Sequence, residues 1–483
     1  MPGPKDLAGG AIPANSQTSR IIMLVAATFF MENLDGTIIA TAIPAMASSF
    51  GTRAADMSLG ITAYLLTLAV FIPMSGWTAD RFGLRSVLTG AITLFTVASV
   101  LCAITNTFSE FVAARVLQGV GGAMMVPVGR LAVLRSTPKE RLMRAIATIT
   151  WPGLVAPVIG PPLGGFLTTY FSWRWIFYLN VPLGAIGVFF TLRLLDNSRE
   201  GQVRPFDIIG FSLCGVGFAS LLYAMELVGR GGIAWSQVGL FLALGASFLT
   251  FAWLHLRHAK HGAIDLSSLK IKTFAVVMGG GSLFRIAISA VPFLLPLMFQ
   301  VGFGMTAFES GLLTLAVFAG NLLMKLITTH IVRWFGFRSV LLVNGLVASA
   351  TLALTSLLSA KTPTGVIFGV LFLGGLARSL QFTALNTLSF ADVPKSQLSG
   401  ATSLSSTIQQ LGVGIGVAVG AMSLQLSHSL LGYGTHAMSV ADFQLAFLMV
   451  AAVCLIGTVD VLGLPRDAGV AVSGHRPAGR LAG

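Results

Sequence analysis

The chain is 483 residues long, 55% hydrophobic and only 10% charged. A soluble domain carries about 25% charged residues, so this composition excludes a water-soluble globular fold. The net charge of +13 would suit nucleic acid, but the basic residues are laid out as a membrane-topology signal, which excludes that partner.

Residues 1–20 are polar, contain Gly, Pro and Ser, and read as a cytoplasmic tail. Apolar runs of roughly 20 residues, the length of a bilayer-spanning helix, then recur. Fourteen spans are expected, at about 21–47, 57–79, 87–107, 109–133, 144–168, 175–195, 207–228, 237–256, 274–301, 308–330, 338–359, 364–388, 398–427 and 442–463. The first run is too long for a cleavable signal peptide and carries Glu32 and Asp35. Residues 464–483 form a second polar tail. Cys102, Cys214 and Cys454 lie inside apolar runs and read as packing residues, without disulfide or metal spacing.

An even span count puts both termini on one side. With that side cytoplasmic, Arg53, Arg174, Arg230 and Lys361 fall in outside loops, and Arg115, Arg285, Lys325 and Arg378 fall within spans. The remaining 22 of the 30 basic residues lie inside, and this bias fixes the orientation.

The charged turn after the second span runs Gly76-Trp-Thr-Ala-Asp-Arg-Phe-Gly-Leu-Arg-Ser-Val-Leu88. It returns as Arg333-Trp-Phe-Gly-Phe-Arg-Ser-Val-Leu341 after the tenth span. Two copies imply two related halves. They stand eight spans apart where six-span halves would give six, so spans 207–228 and 237–256 are an inserted pair. The organisation is 6+2+6: an N-terminal bundle at 21–195, a linker with the extra pair at 196–273, and a C-terminal bundle at 274–463. The fold class is all-α polytopic membrane protein.

These residues resemble the major facilitator superfamily, in its fourteen-span drug:proton antiporter branch. The loop motif matches at Gly76, Ala79, Asp80, Arg81, Gly83 and Arg85, and departs at Thr78 and Leu84. Leu34-Asp35-Gly36-Thr37 resembles the first-span signature, and Arg115 to Gly122 the fourth-span motif. Gly153 with Gly160-Pro161-Pro162-Leu163-Gly164-Gly165 resembles the fifth-span antiporter motif. Trp173-Arg174-Trp175 and Asn180-Val181-Pro182 are also typical of the branch. The run Gly119 to Arg130 is most like a subgroup of multidrug resistance proteins. The resemblance implies a proton-coupled exporter that works as a monomer, with the bilayer, protons and a small-molecule substrate as its partners.

Asp35 and Glu32 lie mid-span on one helix face. An ionised carboxylate in hydrocarbon costs about 3 kcal/mol on insertion scales, so such a group faces a cavity, pairs or takes a proton. Arg115, which keeps its charge, is the partner expected for Asp35, and the resemblance implies that it serves proton transfer. A static buried ion pair is the plainer alternative. Asp80, Arg81 and Arg85 read either as a solvated anchor or, by resemblance, as a gate latch in which Asp80 bonds across to the other half when the carrier faces out. Gly76 and Gly83 would permit close helix approach and a tight turn. Gly153, Pro157, Gly160, Pro161, Pro162, Gly164 and Gly165 suit close packing and a rocking hinge alike. Gly412, Gly416 and Gly420 read as a packing stripe. Gln118, Arg285, Arg378, Gln381, Asn386 and Gln409 are candidates to line the substrate cavity. Interhelical hydrogen bonding is the alternative for the amides. Phe29, Phe30, Phe293, Phe299 and Phe382 lie near these polar groups. Glu226 and Asp460, near span ends, read as interfacial.

There is no Walker-type loop, so the proton gradient, with no cofactor, is the expected energy source. His255, His258 and His261 read as a basic surface segment. An uptake symporter or a metabolite exporter on the same fold is the alternative function. A membrane enzyme or sensor lacks a nucleophile motif, a metal cluster or a soluble catalytic domain.

Overall fold

A computed structural model describes residues 16–137, 142–197, 205–229, 235–258, 266–394, 397–432, 438–465 and 468–470. Among these the regular structure is helical throughout. Glu226's side chain, His261 and most of the two tails lie outside the described residues.

The first predicted span is broken. α1 (Ser16–Ile38) passes through a 3-10 turn at Ile39–Ala42 into α2 (Ile43–Phe50), which has Pro44 in its first turn and Gly51 at φ 63° as its stop. Proline is tolerated where a helix begins, because the first N–H groups have no intrahelical partner. The second predicted span is likewise two helices, α3 (Ser58–Phe71) and α4 (Met74–Phe82), divided beside Pro73. α5 (Leu84–Ile104) follows. α6 (Phe108–Ser136) opens on a capping box of Thr107 and Glu110. α7 (Leu142–Tyr170) keeps its course through Pro152, Pro157, Pro161 and Pro162. α8 (Trp175–Tyr178) and α9 (Asn180–Leu194) complete the first bundle. The inserted pair is α10 (Ile208–Gly229) and α11 (Trp235–His258).

In the second bundle, α12 (Lys272–Met278) and α13 (Gly280–Leu297) divide at Gly279, and α13 ends in a π turn at Met298–Gly302. Then come α14 (Ala307–Met324), α15 (Thr328–Thr355), α16 (Thr364–Ala391), α17 (Leu398–Leu430) and α18 (Val440–Val459). Among the described residues thirteen helical segments are long and apolar enough to cross a bilayer. α7 stands at the place of the fifth expected span.

The internal repeat survives as backbone geometry. Gly83 has φ 89° and ψ 148°, and Gly336 has φ 72° and ψ 159°. Both turns therefore use the same conformation, one that side-chain-bearing residues avoid. Within the first bundle α1 packs on α7 and α5 on α6; within the second, α13 packs on α17 and α14 on α16. The bundles meet where α7 crosses α14 and α3 crosses α17. α10 and α11 pack on each other, and only 22% and 17% of their most apolar windows are buried, against 78% for Lys272–Gly302. That difference makes the inserted pair peripheral.

Candidate functional site

Asp35 sits in the last turn of α1, buried inside the first bundle. Arg115 of α6 donates from Nη1 to Asp35 Oδ2 at 2.7 Å, with both side chains essentially sealed from solvent. The other carboxylate oxygen, Oδ1, accepts from Gln118 Nε2 at 2.9 Å and from Asn180 Nδ2 at 2.8 Å. Both amides also donate to Ser99 Oγ of α5, at 2.8 and 3.1 Å. Four helices thus converge on one carboxylate. Arg115 Nη1 also donates to Gln118 Oε1, and the guanidinium lies 4.1 Å above the Tyr64 ring of α3. Its Nε and Nη2 have no hydrogen-bond acceptor, so the aromatic face holds that end of the cation.

The expected pairing of Asp35 with Arg115 is therefore present. Gln118, expected in the substrate cavity, instead belongs to this cluster, because the i to i+3 spacing from Arg115 puts both on one helix face. Asn180 and Ser99 were not singled out for a role. Asn180 stands in a motif typical of the branch, while the only sequence signal at Ser99 is a polar side chain in an apolar run.

Glu32 is half-buried, one turn from Asp35, and its Oε2 is enclosed without a hydrogen-bond partner. On α6 the exposed Arg130 lies 5.6 Å from the Phe29 ring.

In the second bundle, Arg285 of α13 is buried and donates from Nη2 to Asn386 Oδ1 of α16 at 2.8 Å; its guanidinium lies 5.6 Å from the Phe382 ring. Arg378 stands one turn away on α16, 5.9 Å from the Phe318 ring, at a small cavity lined by Ile288, Val317 and Thr351. Gln381 does not line open space. It accepts from Asn344 of α15 at 2.9 Å and donates to Leu341 O at 3.0 Å, which ties α15 to α16. Gln409 is half-buried and donates to Ser405 of its own helix. Phe293 and Phe299 are fully buried core rather than cavity wall.

At the inner turn, Asp80 pairs with Arg135 of α6 at 2.8 Å, within its own half and not across to the other. Arg81 is exposed beside Trp77, and Arg85 is half-buried. Gly83 earns its place by backbone conformation. Gly76 does not serve close approach: it is exposed, and a Cβ there would meet open space.

The fifth-span glycines divide by partner. A side chain at Gly160 would strike Thr37, and one at Gly164 would strike the Ile38 carbonyl, so this face seats α1. A side chain at Gly165 would strike the backbone of Ala307, and one at Gly311 the backbone of Pro161, so α7 and α14 touch main chain to main chain. Gly153 lies beside Asn33, and Pro157 borders a cleft against Phe318 and Asn321. Further bonds join the halves at this end: Gln300 Nε2 to Thr41 O at 3.0 Å, Arg53 to Gln425 at 3.3 Å, and Phe308 N to Thr169 Oγ1 at 3.2 Å. The basic-residue bias assigns this end to the exterior. Gly412, Gly416 and Gly420 of α17 pack on α13, as a stripe should.

Asp460 accepts from Gly280 N at 2.8 Å and so caps the start of α13. His255 bonds Asp207 at 2.8 Å, linking α11 to the start of α10.

A family model described as Major Facilitator Superfamily matches residues 25–417 and again 277–476. The "Putative multidrug resistance protein MdtD" of Serratia proteamaculans (strain 568) is 41% identical over 82% of this chain and 83% of its own length. The protein of that name from Escherichia coli O6:H1 is 38% identical over 92% and 94%. Among solved structures, the POT family transporter PepTSo superposes with a TM-score of 0.68 at 14% identity, over 92% of this chain and 97% of that one. A D-xylose-proton symporter gives 0.66 at 13%, over 93% and 99%. At such identities the likeness is one of fold.

Proposed function

The chain belongs to the major facilitator superfamily, and on that premise we propose that it is a proton-driven exporter of amphipathic drugs or other toxic small molecules. It is a multi-pass protein of the bacterial inner membrane. The observation that carries the coupling is the sealed Asp35–Arg115 pair, one oxygen to the cation and the other to two amides.

An intramembrane carboxylate that can gain and lose a proton is the usual device for coupling to a gradient. Ionised, Asp35 holds Arg115. Protonated, it no longer attracts the cation, and the guanidinium is free to move with α6. A proton taken up from the exterior thus loosens the first bundle, and its release to the cytoplasm draws α1 and α6 together again. Drug leaves as the proton enters. The export direction is supported by the fifth-span motif and by the name of the MdtD relatives.

The test is drug-induced pH change in proteoliposomes, with a parallel binding assay. Asp35→Asn should abolish drug-coupled proton movement while binding persists, because the amide resembles the protonated acid. Full coupling in Asp35→Asn would defeat the proposal. Coupling lost in Glu32→Gln instead would transfer the proton site to Glu32. Proton and drug moving in the same direction would make the protein a symporter.

A further inference from the structure

The two bundles treat charge differently. In the first, the buried arginine has its carboxylate. In the second, among the described residues, neither Arg285 nor Arg378 has a carboxylate within ion-pair distance. Arg285 is 2% exposed, and its Nε and Nη1 are enclosed with no acceptor; Nη1 of Arg378 is in the same condition. Arg285's single hydrogen bond goes to a neutral amide, Asn386. Arginine does not shed its charge, and an unpaired buried cation is costly. Arg285 meets α16 at Asn386 and Phe382, and Arg378 lies one turn before Phe382 on that helix; two such cations await an anion.

Their neighbours are partly exposed. Phe382 and Asn386 cover Arg285, and Phe382 is 39% exposed while Asn386 is half-buried. The cavity at Arg378 is small and otherwise apolar, with Thr351 and Thr355 as its hydroxyls.

We propose that Arg285, seconded by Arg378, binds the anionic group of the transported compound, a carboxylate or sulfonate on an apolar body, with Phe382 against that body. This names a substrate class and rests on the transport reading above. A guanidinium meets such oxygens with two donors at once. The coupling pair stays in the first bundle and the anion is held in the second.

Two xanthene dyes of similar shape separate the alternatives: fluorescein, which is anionic, and rhodamine 6G, which is cationic. Binding is measured on the full chain in phosphatidylcholine nanodiscs. Fluorescein should bind more tightly than rhodamine 6G. Arg285→Gln should weaken fluorescein by about tenfold, as expected for one lost charge-assisted bond, and leave rhodamine 6G unweakened. Arg378→Gln should weaken it less. Arg285→Lys, which keeps charge and bulk, should retain the anion preference; a residue needed only for packing would show no such selectivity. Equal binding of both dyes, or no binding of fluorescein, overturns the proposal. Displacement of fluorescein by added phosphatidylglycerol would give the site to a lipid headgroup and overturn the ligand assignment. Fluorescein bound but not moved in proteoliposomes would count against transport and leave the site standing.

Discussion

Asn180 and Gln118 donate to the same oxygen of Asp35, at 2.8 and 2.9 Å, while the other oxygen faces Arg115 alone. Both oxygens are therefore tied to α6, and Oδ1 alone is also tied to α9. Asn180→Leu would strip a buried acceptor of one donor, a loss of about 1–3 kcal/mol. Drug-dependent proton release in proteoliposomes is expected to fall roughly tenfold in a protein that still folds. An unchanged rate would make Asn180 a bystander.

Arg115→Gln leaves a buried carboxylate without its cation. Breaking such a pair from one side costs about 3–5 kcal/mol, which should show as a large drop in thermal midpoint in detergent. Adding Asp35→Asn removes the stranded charge, so the double variant is expected to be the more stable of the two. If Arg115→Gln melts like the wild type, the pair is not holding α1 to α6.

Asp80 and Arg135 have side chains 33% and 29% exposed, where ion pairs contribute about 0–1 kcal/mol. Asp80→Asn should therefore leave the melting temperature nearly unchanged. Transport should nevertheless fall severalfold if the turn governs the balance of inward and outward states. Equal transport would reduce the cluster to an anchor.

Gly165 and Gly76 make a matched pair. Gly165→Leu would collide with the Ala307 backbone and force α7 from α14 at the outer end, whereas Gly76→Ala meets nothing. A cysteine at Thr169 should become more reactive from outside in the first variant and unchanged in the second. Reactivity unchanged in Gly165→Leu would show that the outer seal does not depend on this contact.

Span positions and the Asp35–Arg115 pair were legible because hydrophobic length and a lone charge in an apolar run are strong signals. The partners that complete the site were not. Asn180 and Ser99 are uncharged, and such residues in membrane helices serve packing as often as chemistry. Gln381 shows the other side of that ambiguity, since Asn344, which claims it, lies on a different helix and no local pattern announces the contact. The link from Asp80 to Arg135 was hidden for the same reason. Breaks at Ile39–Ala42 and Gly279 leave no trace in hydropathy, which counts apolar residues without registering backbone direction.

α10 lies against both α17 and α3, with Phe211 packed edge-on to Phe71 at 5.3 Å and Phe206 5.2 Å from Trp77. It therefore runs along one of the two lines where the bundles meet. Among the described residues no extra helix is packed along the other line, between α7 and α14, where Ile159 and Phe166 of α7 and Leu312 and Leu323 of α14 stand exposed. The molecule is consequently lopsided toward the bilayer. A compound dissolved in the lipid would find one flank shuttered and the other bare, so any sideways entry into the transport path is expected through the α7–α14 flank.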